Sequence, residues 1–160
     1  MTDDHVYFRW LAENRQIRAS ARAIVIDTST DRFLIENNHG ARDQYLNFIG
    51  GGVELGESLE SCLEREIKEE TNAKVIRMDY LFVVENFITF KGDITHGLEH
   101  YFEVELDRED VKSVTDGIEF KWFSSDDLAD VDLRPHVVRD HIVKGTYQSV
   151  RHLISKDNVA

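Results

Sequence analysis

The sequence predicts a mixed α/β domain, and three observations carry that prediction. Strand-like alternation leads the chain, one amphipathic helical stretch lies in its middle, and helical patterns close it. The 160 residues fit one domain spanning 1–160 and leave little room for a second. No repeat, low-complexity tract or Pro/Gly/Ser linker marks a boundary.

The elements follow in order. From Ile17 to Asp27, Arg18, Ser20 and Arg22 face one way while Ile17, Ala19, Ala21 and Ala23 face the other, which is strand periodicity. Residues 28–31 read as a turn and Phe33, Leu34 and Ile35 as the returning strand. Residues 37–40 form a second turn. A short apolar piece, 46–49, then runs into Gly50, Gly51 and Gly52. Residues 58–71 read as helix, and 75–90 as one or two strands. Lys91, Gly92 and Asp93 suit a hairpin turn, after which Phe102, Val104 and Leu106 alternate with Tyr101, Glu103 and Glu105. Phe120 and Trp122 mark another short strand. Ser124 followed by Asp127 opens a short helix in capping fashion. Residues 137–154 read as a closing helix with Gly145 as its weak point.

Composition narrows the function. An apolar fraction of 41% is ordinary for a globular chain. The single Cys62 excludes an internal disulfide framework. Residues 1–5 show neither a basic region nor an apolar core, so no leader is expected, and the longest apolar runs fall far short of the ~20 residues that span a bilayer. A cytoplasmic protein is the expectation. The net charge of −12 disfavours polymer nucleic acid and anionic membranes as partners. It leaves room for a small phosphorylated substrate if the carboxylates bind a divalent cation, because the metal reverses the local sign.

Winding 58–71 as a helix shows where such carboxylates lie. Leu59, Cys62, Leu63 and Ile67 form an inward stripe, and Ser61, Glu64, Lys68 and Thr71 face water. Glu66 and Glu70 continue the inward stripe, with Glu69 at its edge. Like charges three and four apart disfavour a bare helix by roughly 0.2–0.5 kcal/mol per pair, and desolvating them costs more. A solvated acidic helix end paired by Arg65 and Lys68 is the plain alternative. A hard cation, Mg²⁺ or Mn²⁺, is the compensation that suits oxygen ligands, since no His or Cys stands at zinc spacing. The glycines feeding this helix allow close backbone approach to a ligand, as at phosphate sites, although a tight turn explains them equally well.

Read together, Gly51, Glu57, Arg65-Glu66-Ile67, Glu69-Glu70 and Asn72-Ala73 resemble the Nudix box, the signature of the (MutT-like) Nudix hydrolases. Asn72 stands where the family usually has Gly, and Ile49 where it usually has Pro. Asn tolerates a left-handed helix end, so the turn is expected to survive.

The resemblance implies an α/β/α sandwich around a mixed β-sheet, and Mg²⁺- or Mn²⁺-dependent hydrolysis of a diphosphate linked to a further group X. By the same resemblance Glu66, Glu69 and Glu70 are metal-binding and catalytic. Glu57 helps place metal or water, and Arg65 orients a carboxylate. The backbone of Gly51 and Gly52 lies beside metal and phosphates. The expected substrate is a nucleoside triphosphate or a nucleoside diphosphate derivative, since the downstream marks of other subgroups are absent. Homodimers are common in the family, and the sequence shows no interface.

Outside the box, Glu99 is a candidate further carboxylate, with an exposed strand glutamate the plainer reading. His96 and His100 read first as surface residues. Cys62 reads as packing, and so for the most part do Tyr101, Phe102 and Phe87. A Nudix-fold module that binds without cleaving is the alternative, although the box glutamates are all present. An isomerase on this fold would need a cysteine outside the helix, and the chain has none.

Overall fold

In the computed structural model, residues 9–11, 13–14, 16–39, 45–90 and 92–159 are described. Gly40 of the second expected turn, Lys91 of the expected hairpin turn, and residues 1–5 lie outside them.

Nine strands form one sheet. They are β1 (Ile17–Asp27), β2 (Arg32–Asn38), β3 (Leu46–Asn47), β4 (Ile49–Gly52), β5 (Val75–Phe90), β6 (Asp93–Leu106), β7 (Ile118–Ser124), β8 (His152–Ser155) and β9 (Asn158–Val159). The sheet order is β3-β2-β1-β6-β5-β8, with β4 on β1, β7 on β2 and β9 on β5. β1 runs parallel to β6, and β5 runs parallel to β8 and β9, while the other pairs are antiparallel. The sheet is therefore mixed, as expected.

The helices packed on the sheet are α1 (Leu59–Glu70), α2 (Ser125–Leu128) and α3 (His136–Val143). The alternation of β1 sorts them onto two faces. Ala21, Ala23 and Val25 meet Cys62, Leu63 and Ile67 of α1, and the two alanines leave space for the helix to approach closely. On the other face Ile24, Phe82, Val84 and Tyr101 pack on Leu128 of α2 and on Val138 and Ile142 of α3. Each fully buried Leu or Ile side chain contributes about 1.5–3 kcal/mol relative to exposure. The result is helices on both sides of the sheet. No helix among the described residues is long and apolar enough to cross a membrane.

Ser124 accepts from the Asp127 N–H and opens α2 as its sequence suggested. The closing segment differs from expectation. α3 stops at Val143, Gly145 adopts φ 70°, Tyr147–Ser149 forms a 3₁₀ turn, and His152–Ser155 is a strand. Two non-local contacts override the helical pattern. The Tyr147 hydroxyl donates to Glu103 at 2.7 Å, and β8 gains a parallel partner in β5. β5 itself is one 16-residue strand, with irregular register near Arg77 and Phe82.

Candidate active site

α1 begins where Ser58 and Ser61 cap each other: the Ser58 hydroxyl accepts the Ser61 N–H at 3.1 Å, and the Ser61 hydroxyl accepts the Ser58 N–H at 2.9 Å. Such reciprocal caps satisfy amides left open at a helix start. With the start fixed, helical spacing sets the direction of each carboxylate. The Glu66 side chain is 16% exposed and that of Glu69 58%. The inward stripe thus carries Glu66, and Glu69 sits at its wet edge.

Arg65 gathers three of the predicted glutamates. Its Nε and Nη2 donate to the two Glu57 carboxylate oxygens at 2.7 and 3.0 Å. Its Nη1 donates to Glu66 at 2.9 Å and to Glu69 at 3.4 Å. Nη2 also reaches the Gly52 carbonyl at 3.2 Å. The Arg65 hydrogen bonds, with one from the Glu54 N–H, hold the Glu57 carboxyl down at about 2. Glu57 first, and then Glu66, raise the guanidinium above its ordinary range against the opposing effect of burial.

The glycine ribbon has two sides. β4 pairs with β1 so that Gly51 lies opposite Ala21, on the α1 face. A Cβ at Gly51 would sit 2.3 Å from Glu66 Oε1, so the bare backbone is what lets that carboxylate lie against the ribbon. At Gly50, φ is +144° and a Cβ would stand 2.0 Å from the Ala21 carbonyl oxygen. Across the ribbon, Arg22 donates to the carbonyls of Gly50 (3.1 Å) and Phe48 (3.4 Å). The Arg18 guanidinium lies beside Gly52. The polar phase of β1 is therefore not a solvent face; it lines the back of the glycines.

Glu70 departs from the other three. Its carboxyl contacts that of Glu36 on β2, a residue only 7% exposed, and its Oε2 is buried with no hydrogen-bond partner. Burial first, then the charges of Glu36 and Glu66, push Glu70 up to about 9. Burial likewise raises Glu36, against the pull of Arg22. Burial opposes the charge on Arg22, and Glu99, Tyr101, Glu36 and Glu70 outweigh it. Among the described residues no three His, Cys, Asp or Glu side chains converge as a ready-made metal cluster. Three of the predicted glutamates turn toward Arg65 and the fourth toward Glu36.

Sequence reasoning did not find Glu36 or Arg22. A signal for Glu36 existed. It stands two residues after Leu34, which is 1% exposed, so alternation puts a carboxylate in phase with the core. The remaining candidates divide. Glu99 is part-buried, not an exposed strand glutamate: it accepts from Asn86 Nδ2 at 3.2 Å and from the Tyr101 hydroxyl at 3.0 Å. His96 stacks on Phe87, centroids 4.4 Å apart, and the His100 ring nitrogen meets the Tyr80 hydroxyl at 3.0 Å. Both histidines are half-buried. Tyr101 and Phe102 are buried in the core. Cys62 is buried too, its thiol against the Gly51 and Gly52 carbonyls at 3.6 and 3.5 Å, which fits packing. Asn72 is not left-handed: the helix ends on extended Thr71, and Asp31 alone among described non-glycines has positive φ. Asn72 instead donates to the Asp110 carbonyl at 3.3 Å and accepts the Lys112 N–H at 2.9 Å.

That contact brings the 110–115 segment against the end of α1, where the Val114 N–H donates to the Glu70 carbonyl at 3.0 Å. Beside it opens a cleft of about 410 Å³. Ile35, Leu46 and Phe123 give it apolar walls, and Asn37, Lys112, Glu119 and Lys121 give it polar ones.

Comparison with known proteins adds to this geometry. The family model for the NUDIX domain matches residues 16–142. The NAD-capped RNA hydrolase NudC of Vibrio vulnificus (strain CMCP6) is 32% identical over 108 residues, covering 68% of this chain and 40% of that protein. NudC of Pseudomonas aeruginosa (strain LESB58) is 28% identical over 127 residues, covering 79% and 43%. The chain spans about two-fifths of the length of these curated relatives. Among solved structures, a mutator MutT protein from Bacillus halodurans aligns with TM-score 0.67 at 20% identity, covering 89% of this chain and 90% of that one. The MutT protein from Methanosarcina mazei Go1 gives 0.64 at 23%, covering 80% and 91%. These likenesses show the fold.

Proposed function

This chain belongs to the Nudix hydrolase family, and from that premise we propose that it hydrolyses a diphosphate linkage in a nucleoside triphosphate or nucleoside diphosphate derivative, with Mg²⁺ or Mn²⁺. The observation that carries the reading is Glu70: a buried carboxyl oxygen with no partner, beside Glu36, with the Glu66 charge acting on both. An all-oxygen donor set of this kind suits a hard divalent cation. Glu66, Glu69 and Glu70, with Glu57 at the ribbon, would hold it. When bound, such a metal offsets phosphate charge and lowers the pKa of water.

The chain's own residues do the rest. Arg65 orients Glu57 and Glu66 from behind, and Gly51 keeps the backbone thin enough for Glu66 to face the substrate side. In the reaction the water oxygen bonds to phosphorus, the anhydride P–O bond breaks toward the departing phosphate, and a site carboxylate takes the proton. The cleft lined by Ile35, Phe123, Lys112, Glu119 and Lys121 suits the group X, an apolar ring system with a polar edge.

A second reading follows from the curated relatives, named for NAD-capped RNA. It gives a dinucleotide diphosphate, free or at an RNA end, as substrate. The net charge of −12 favours the free small molecule.

The test is a hydrolysis screen with Mg²⁺ and Mn²⁺, products identified by mass. The panel holds nucleoside triphosphates, nucleotide sugars, ADP-ribose, NADH, dinucleoside polyphosphates and NAD-capped RNA. Cleavage at the diphosphate, abolished by EDTA, is the expected result. A folded, metal-bound protein that cleaves nothing would favour the non-catalytic binding module.

A further inference from the structure

The structure divides the site's carboxylates into an outer set and an inner pair. Glu57, Glu66 and Glu69 share the Arg65 guanidinium. Glu36 and Glu70 face one another across the junction of β2 and α1. Arg22 acts on this pair, while its guanidinium donates to the Phe48 and Gly50 carbonyls.

Glu36 stands at a core position. Leu34, on the same face of β2, packs into the apolar cluster under α1, and an apolar side chain at 36 would continue it. A carboxylate there, pressed on a second one, is disfavoured unless the two share a proton or a cation. The Oε2 of Glu70 is itself buried with no hydrogen-bond partner, an acceptor oxygen beside Glu36. Glu66 acts on both members of the pair from the last turns of α1.

We infer that Glu36 is a ligand of the divalent cation, supplied from β2 outside the helical motif, and that with Glu70 and Glu66 it forms an all-oxygen position between sheet and helix. The inference rests on the metal-dependent reading above and adds a residue that the motif does not contain. A purely structural Glu36 would serve only as a hydrogen-bond partner for Glu70, which a glutamine replaces.

The experiment is a calorimetric titration of Mn²⁺, without substrate, into the unsubstituted chain, Glu36→Gln, and Glu64→Gln, which removes the same charge from the exposed face of α1. Thermal melts with and without Mn²⁺ accompany it. Glu36→Gln is expected to weaken Mn²⁺ binding at least tenfold and to lose most of the Mn²⁺-induced rise in Tm, while its metal-free Tm is unchanged or higher. Glu64→Gln is expected to stay within twofold of the unsubstituted chain. Mn²⁺ affinity within threefold in Glu36→Gln overturns the inference, and so does an equal loss in Glu64→Gln. Should Glu36→Gln fail to fold, Glu36→Asp takes its place. It keeps the charge but withdraws the carboxylate by one methylene, and unchanged affinity there overturns the inference too. An unsubstituted chain that binds no Mn²⁺ overturns the metal-dependent reading itself, and this inference with it.

Discussion

Substituting Gly51 by alanine separates the stability of the fold from the geometry of the site. The new Cβ would meet Glu66 Oε1 at 2.3 Å and Cδ at 2.5 Å, whereas ordinary contact begins near 3.4 Å. The carboxylate must retreat by about 1 Å, and it can, because it ends a flexible side chain. The retreat stretches the 2.9 Å hydrogen bond from Arg65. That bond is partly exposed, so about 1 kcal/mol is lost, or about 2–4 °C in Tm for a chain this size. On the proposed reading Glu66 belongs to the catalytic set, where a displacement of about 1 Å costs on the order of 10²-fold in rate. Gly50→Ala is the contrast. Its Cβ would strike the Ala21 carbonyl at 2.0 Å, from a φ of +144°, and backbone cannot yield as a side chain does. About 3 kcal/mol or more is expected there. The assays are thermal melts and kcat/KM on the preferred substrate of the screen. Gly51→Ala is expected to melt within a few degrees of the unsubstituted chain, with activity down about a hundredfold. Activity within threefold of the unsubstituted chain, or a Tm loss matching that of Gly50→Ala, would refute the reasoning.

Three further outcomes are expected. On the proposed reading Glu70→Gln folds normally and loses most activity, because it removes the inward negative charge and one carboxylate oxygen from the metal-binding set; near-normal turnover measured with Mg²⁺ would contradict that role. Arg65→Lys keeps the charge but not the fork that spans Glu57 and reaches Glu66; on the proposed reading that those carboxylates bind metal, kcat/KM is expected to fall about 10–100-fold. The pH dependence has a definite sign. Glu70 is raised from 4.5 to about 9, so between those values the folded chain holds a proton the unfolded chain has released. Metal-free stability therefore falls as pH rises through that window, and the slope is shallower in Glu70→Gln. Chemical denaturation at several pH values in EDTA reads both slopes; identical slopes would show that Glu70 is not the group responsible.

Much of this site is legible in the sequence because α1 is a local object. Its stripe needs only helical spacing to place Glu66 and Glu70 inward and Glu69 at the edge, and the observed exposures follow that order. The glycine ribbon is legible for the same reason. Glu36, by contrast, is joined to Glu70 only by the packing of β2 beside α1, which no window of neighbouring residues contains. Arg22 reads as a polar strand residue until β4 pairs across from it and places Gly50 opposite. Glu99 looks exposed until β6 enters the sheet interior beside β5, where Asn86 and Tyr101 meet it. The closing segment fails in the same way. Four residues, His152 to Ser155, are too few to carry a strand signal of their own, and β5 decides their conformation.

Arg65 has a consequence for how this site can change. One guanidinium serves Glu57, Glu66 and Glu69, and it also holds the Gly52 carbonyl. Removing any one carboxylate frees donors that swing to the others, so the costs of successive substitutions do not add. The same sharing makes the order of change matter. A chain that loses Arg65 first leaves three like charges crowded together, whereas one that loses Glu57 first leaves a spare donor. The three carboxylates are coupled through one guanidinium, so the effect of changing any one of them depends on which of the others is present.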